Sequence, residues 1–149
     1  MTPEQARSRF AAARVARLAT AGADGRPHLV PIVFAVAGDV IYSAVDAKPK
    51  RTTSLRRLAN VRENPAVALL VDHYDDVDWG ALWWVRADGR GRVLDPAGDT
   101  ASSAAADRAA DAAEARRAVS LLRDRYPQQK AVGAVLAVDV ERWSGWSAR

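Results

Sequence analysis

The stretch "VIYSAVDAKPKRTTSLRRLANVRENPAVALLVDHY", Val40 to Tyr74, joins two apolar runs through a basic loop and a helix-forming segment. "VIYSAV" (Val40 to Val45) has the β-branched and aromatic content of a strand, and "AVALLVD" (Ala66 to Asp72) reads as a buried one. Between them Thr52 or Thr53 can cap a helix carrying Leu55, Leu58 and Ala59 inward, and Asn64-Pro65 ends it. From Lys48 to Arg62 there are six Lys or Arg and no Asp or Glu. Like charges gathered at one corner repel, so something anionic is expected there.

Before this stretch, Thr2-Pro-Glu-Gln5 reads as a capping box, with Pro3 at the first helical position, and predicts a helix to about Ala13. "VARLAT" (Val15 to Thr20) is a strand and "AGADG" a turn. "PHLVPIVFAV" (Pro27 to Val36) reads as one strand, apolar on both faces, with Val30, Ile32 and Phe34 opposite Leu29, Val33 and Ala35. That suits a barrel wall meeting a second surface. "AGD" turns the chain into Val40, so hairpins and an antiparallel sheet are expected.

After it, "HYDDVDWG" is a polar connection. "ALWWVRADGRGRVLD" (Ala81 to Asp95) reads as one long bent strand, its "ADG" a bulge in preference to a tight turn. Ten of the eighteen residues from Ala101 to Ala118 are alanine, which favours a helix anchored weakly in its first half. Ala115, Ala118, Val119, Leu122 and Tyr126 then form one helical face, and Pro127 stops it. "AVLAVDVERW" (Ala134 to Trp143) alternates, with Leu136, Val138 and Val140 inward and Ala137, Asp139 and Glu141 outward. The expectation is a single α+β domain over residues 1–149, with about six antiparallel strands in a small closed barrel and two or three helices.

With 49% hydrophobic and 27% charged residues the chain has the composition of a globular domain. No apolar run reaches the roughly 18 residues of a membrane helix, and "MTPEQARSRF" has no signal-peptide core. The absence of cysteine fits a cytoplasmic location and removes thiolate chemistry. A net charge of +4 fits several anionic partners, but there is no helix-turn-helix or aromatic-interleaved platform, so nucleic acid is not expected. The two histidines are His28, read as a surface or barrel-rim residue, and His73, read as a solvated loop residue. No HExxH, CxxC, GxSxG, GxGxxG or Walker pattern occurs, so no metal site is expected and no catalytic side chain is assigned. If the protein is an enzyme, a cofactor must carry its reaction.

The basic loop can cradle a phosphate. A strand end, "DAKPKRTT" and a helix start bring backbone N–H groups and a positive helix end to where Lys48, Lys50 and Arg51 reach. Thr52 and Thr53 can donate hydroxyl hydrogen bonds, and Arg51 can engage two oxygens at once. Arg56, Arg57 and Arg62 can equally be solvated helix positions, with the Arg57 stem covering apolar surface.

In this order, "KPKRT", "NVRENPAVALLVD" and "DWGALWWVRADGR" resemble the pyridoxamine-phosphate-oxidase-like split β-barrel oxidoreductases, most closely the actinobacterial branch that uses the deazaflavin coenzyme F-420. The likeness runs from about Val15 to Trp143 and assigns nothing to the alanine-rich residues 101–113. It implies a homodimer with two cofactor sites at the subunit interface, no membrane partner, and hydride transfer to a small organic substrate by a reductase. By position it places phosphate contacts on Lys48, Lys50 and Arg51, with Thr52 beside them. Val30, Pro31 and Ile32 would back the ring, the end of the next strand would bring Ser43 to the cofactor, and Trp79 would come from the partner chain. Trp83 and Trp84 alternate faces, so at least one should be core or interface. FMN is the alternative cofactor and a non-catalytic carrier or sensor the alternative role. The basic track, extended by Arg56 and Arg57, exceeds what a single phosphate needs and favours the deazaflavin with its polyglutamate tail.

Overall fold

The capping box starts the helix it specifies. In a computed structural model describing residues 1–46, 52–95, 104–129 and 132–149, helix α1 runs Pro3–Ala12. The Thr2 hydroxyl accepts the Gln5 N–H, and the Gln5 side chain accepts the Thr2 N–H. Seven strands follow: β1 (Ala16–Ala21), β2 (Pro27–Ile32), β3 (Ala35–Ala37), β4 (Val40–Asp46), β5 (Ala66–His73), β6 (Trp83–Leu94) and β7 (Val132–Ser147). Helix α2 (Thr52–Glu63) joins β4 to β5, and α3 (Ala105–Arg125) lies between β6 and β7. All pairings are antiparallel, in the order β2-β1-β5-β6-β7-β4-β3.

The two edges of this sheet, β2 and β3, are neighbours in sequence, joined only by Val33 and Phe34. The sheet therefore rolls into a barrel split at that link. One apolar core fills it, drawn from six strands and including Leu18, Ile32, Ile41, Leu69, Val85 and Leu136. The single strand expected over Pro27–Val36 is thus two strands with different partners. Phe34 turns inward onto Phe10 of α1, ring centroids 4.9 Å apart. The Tyr126 hydroxyl donates to the Phe34 carbonyl at 2.9 Å and accepts its N–H at 3.4 Å. The Ser43 hydroxyl donates to the Val33 carbonyl at 2.9 Å. Side chains thus satisfy backbone groups that a continuous ladder would otherwise pair.

Two inward faces also differ from the alternation. The pattern points Ala137 outward, yet it is buried, because α3 lays Ala115, Ala118 and Leu122 on that side of β7 and β4. Helical spacing points Ala59 inward, but it is exposed, while Leu58 and Val61 of α2 are buried. The rotation places buried Asn60 where its Nδ2 donates to Thr20 Oγ1 at 3.1 Å. Strand β6 is the single long strand expected, with its pairing to β7 shifting register at Asp88/Gly89. A Cβ at Gly89 would collide with the Asp139 carbonyl, so the bulge requires glycine there.

A charged network ties α3 to the sheet. Arg92 of β6 donates to both Glu114 oxygens at 2.9 and 3.1 Å and to both Asp139 oxygens at 2.6 and 3.0 Å. Tyr42 of β4 donates to Glu114 at 2.7 Å. Burial, reinforced by the Glu114 carboxylate, pushes the Tyr42 pKa up to about 12. Neutral Tyr42 therefore adds stability that is full below its unfolded pKa of about 10 and lost as pH rises through the folded value. The Arg92 hydrogen bonds hold Glu114 below the usual glutamate range, so its contribution is lost as pH falls through that lowered value. Glu114→Ala is expected to cost about 2 kcal/mol in urea unfolding. It should also move the Tyr42 phenol titration below about 12 in ultraviolet absorbance. An unchanged titration would remove Glu114 as a cause of the Tyr42 shift.

Candidate cofactor site

Strand β2 is an edge. Among the described residues it pairs with β1 alone, so along Pro27–Ile32 the backbone groups facing away from β1 have no strand partner there. Register divides its side chains. Val30 packs against the core and Ile32 is buried within it, opposite Leu18 and Ala16. Pro31 is exposed on the other face beside Arg17, and its missing N–H suits a strand that ends a sheet. Of the three residues expected to back a ring, Pro31 alone is exposed. The buried Ser43 hydroxyl is engaged with Val33 and so fixes the end of β2.

Lys48, Lys50 and Arg51 lie outside the described residues, as does the side chain of Thr52, which opens α2. The later turns of α2 meet the sheet through defined contacts. The Asn60–Thr20 hydrogen bond sets the helix across the β1–β2 hairpin, and His28 is the cross-strand partner of Thr20. On the same helix, about one turn before Asn60, Arg56 and Arg57 act on His28. Burial lowers its pKa first, and the two guanidiniums lower it further, which favours the neutral imidazole. His28 Nδ1 is buried and has no hydrogen-bond partner among the described residues. The sequence offers His28 only as a rim residue. The signal that raises its interest is tertiary, namely the helix packed on β1 beside its strand.

Trp79 lies elsewhere. It opens a one-turn 3-10 helix, Trp79–Ala81, in the β5–β6 connection, and it is 67% exposed. The last turn of α2 leads into the start of β5 and Trp79 follows its end, so the eight residues of β5 separate that last turn from the Trp79 connection by about 25 Å. His73 is the last residue of β5, not part of the loop, and its ring stacks on Trp83 with centroids 6.2 Å apart. Arg9 lies over the same indole, 5.1 Å from its centroid.

Strand register also brings together residues that the sequence leaves scattered. Leu29, Leu70, Trp84 and Trp146, all exposed, occupy the outer face of β2, β5, β6 and β7. The buried contacts of α3 fall instead on β3, β4, the end of β6 and the first part of β7.

Flavins and deazaflavins need backbone donors and acceptors along a polar ring edge, apolar cover for the ring face, and cations for an acidic tail. Edge strand β2, Pro31 and the exposed Arg56 answer these in turn, and the orphaned His28 Nδ1 adds an unused polar atom on the same strand. The residues fit the group. Among the described residues no helix is long and apolar enough to cross a membrane.

The sequence pattern of the pyridoxamine 5'-phosphate oxidase family matches residues 2–147. No curated protein matches the chain. Among solved structures, a conserved hypothetical protein of Mycobacterium tuberculosis superposes with TM-score 0.70 at 19% identity, covering 100% of this chain and 86% of that one. An FAD-binding protein of Mesorhizobium loti gives TM-score 0.66 at 20% identity over 97% and 94%. The FAD-binding protein of Mycobacterium smegmatis gives 0.62 at 18% over 100% and 98%. These likenesses establish a common fold, and with a family pattern spanning almost every residue the chain belongs to the pyridoxamine 5'-phosphate oxidase family, whose split β-barrel it adopts.

Proposed function

We propose that the protein is a homodimeric oxidoreductase of the flavin type whose cofactor is coenzyme F-420, with FMN as the alternative. The observation that carries this reading is the approach of the α2 guanidiniums to His28 of β2. The cationic segment from Lys48 to Arg62 continues into a helix whose Arg56 and Arg57 act on His28 of the exposed edge strand. Lys48, Lys50, Arg51 and Thr52 would hold the phosphate at the start of α2, and Arg56 and Arg57 would continue the track toward a run of tail carboxylates. A single FMN phosphate leaves that extension without a purpose. Val30, Pro31 and Ile32 would back the ring through their strand edge. The bound deazaflavin ring would supply two-electron hydride chemistry to a small organic substrate. A flavin such as FMN in place of the deazaflavin is favoured by a different observation, that two structural neighbours are FAD-binding proteins.

The outer sheet face supports the dimer. Leu29, Leu70, Trp84 and Trp146 are 67%, 38%, 37% and 47% exposed. Register sets Arg17, Asp72 and Arg86 among them, so the face mixes exposed apolar and charged side chains across four strands, as interfaces do. A second copy seated there would bring the exposed Trp79 within reach of the partner's β2, so each site would draw on both chains.

Fluorescence titration of coenzyme F-420 and FMN into wild type and Lys50→Ala tests the reading. We expect micromolar or tighter F-420 binding, weaker FMN binding, and a loss of about 1.5–3 kcal/mol for the variant, as for a hydrogen bond to a charged group. Equal affinities for wild type and variant would remove Lys50 from the site, and tighter FMN binding would reassign the cofactor. Oxidation of the reduced cofactor by quinones, enones or nitro compounds separates an enzyme from a carrier.

A further inference from the structure

The connection that carries Trp79 is braced by Arg149, which follows β7. Asp75 accepts the N–H groups of Val77 and Asp78, each at 2.8 Å. Asp78 then accepts the Gly80 N–H at 2.9 Å and so caps the 3-10 turn. Both oxygens of the same carboxylate receive the Arg149 Nη2, at 2.8 and 2.9 Å. The Arg149 guanidinium lies so close over Gly80 that a Cβ there would collide with it. Beside this, the Ala148 N–H donates to the Leu82 carbonyl at 2.9 Å. The end of β7 is therefore fastened to the turn on both sides of Trp79.

Trp79 makes no ring contact and no side-chain hydrogen bond among the described residues. The backbone of the turn, held by Asp78 and Arg149, fixes the Cα–Cβ direction in which Trp79 projects. An exposed ion pair alone contributes little to stability, about 0–1 kcal/mol. A stability role therefore gives little reason for an arginine to cap the turn and pack flat on its glycine. Pre-organising an exposed aromatic gives a better one, because an ordered anchor loses less entropy on binding.

We infer that Arg149 is a positioning residue that locks the Asp78–Gly80 turn and so fixes the direction in which Trp79 projects toward the partner protomer's cofactor. This rests on the reading of Trp79 given above as a contact across the dimer.

The test uses full-length wild type, Arg149→Met, Arg149→Lys, Trp79→Ala and the Arg149→Met/Trp79→Ala double variant. Hydrogen exchange at Gly80, Ala81 and Leu82 should speed up roughly tenfold in Arg149→Met, with barrel amides unchanged and Arg149→Lys in between. Coenzyme F-420 dissociation constants should rise about fivefold in Arg149→Met and more in Trp79→Ala. The arginine change should add nothing once Trp79 is gone, since the two act through one contact. Unchanged exchange overturns the inference. So does an Arg149 effect on affinity that persists in the Trp79→Ala background, or Trp79→Ala weakening binding while Arg149→Met does not. If Trp79→Ala leaves F-420 affinity at the wild-type value, the trans role of Trp79 is what fails, and the exchange data will identify that as the cause.

Discussion

Trp84→Glu is expected to give a folded monomer that no longer binds cofactor. Trp84 sits on the outer face of β6, between Asp72 of β5 and Trp146 of β7. Its face of the sheet is not the one that fills the barrel, where Val85 is fully buried. The fold therefore loses only part of one side chain's burial. In the proposed dimer the same position would sit in the interface, and the new carboxylate would lie beside Asp72. Losing a central tryptophan anchor and burying an unpaired charge together amount to about 4 kcal/mol or more, roughly a thousandfold in dimer dissociation. Sedimentation at micromolar concentration should show wild type as dimer and the variant as monomer, with unchanged far-ultraviolet circular dichroism. Leu29→Glu at the opposite end of the face should do the same. A Trp84→Glu protein that stays dimeric would place the interface on another surface.

The largest loss of stability is expected from Phe10→Ala. The side chain is fully buried and is the main apolar anchor of α1 in the barrel. It meets Phe34 with centroids 4.9 Å apart and Trp143 edge-on at 5.4 Å. Truncation removes aromatic packing from two partners and leaves a cavity, at a cost of about 3–5 kcal/mol. That is a large share of the roughly 5–15 kcal/mol that holds an ordinary domain folded. At fixed protein concentration the melting temperature should fall by about 10 °C. A fall of only a degree or two would mean that Phe34 and Trp143 close over the space without α1.

Those two aromatics also explain what is legible in the sequence and what is not. Elements governed by local chemistry are readable, such as the Thr2–Gln5 capping box, the Asn64-Pro65 stop and the bulge that Gly89 permits in β6. The break at Val33–Phe34 is not, because no glycine or proline interrupts "IVFAV". What ends β2 is Phe34 packing on Phe10, together with hydroxyls from Ser43 and Tyr126, nine and ninety-two residues from Phe34 in sequence. The split that defines the barrel is thus a tertiary event. Ala137 follows the same logic, since a short apolar residue in an alternating strand does not announce that a helix will cover it. At the site, the basic run and Pro31 stand out in the sequence, but the approach of Arg56 and Arg57 to His28 depends on how α2 crosses the hairpin. The outer face needs strand register before Leu29, Leu70, Trp84 and Trp146 can be seen to share it.

Subunit mixing tests the shared site most directly. Lys50→Ala and Trp79→Ala homodimers should each bind coenzyme F-420 weakly, for different reasons. After exchange of protomers, each heterodimer of a two-fold assembly would carry one site with both defects and one with neither. The account predicts that about a quarter of all sites in an equimolar mixture return to wild-type affinity. A mixture that binds no better than its parents would mean that the basic corner and Trp79 never meet across two chains.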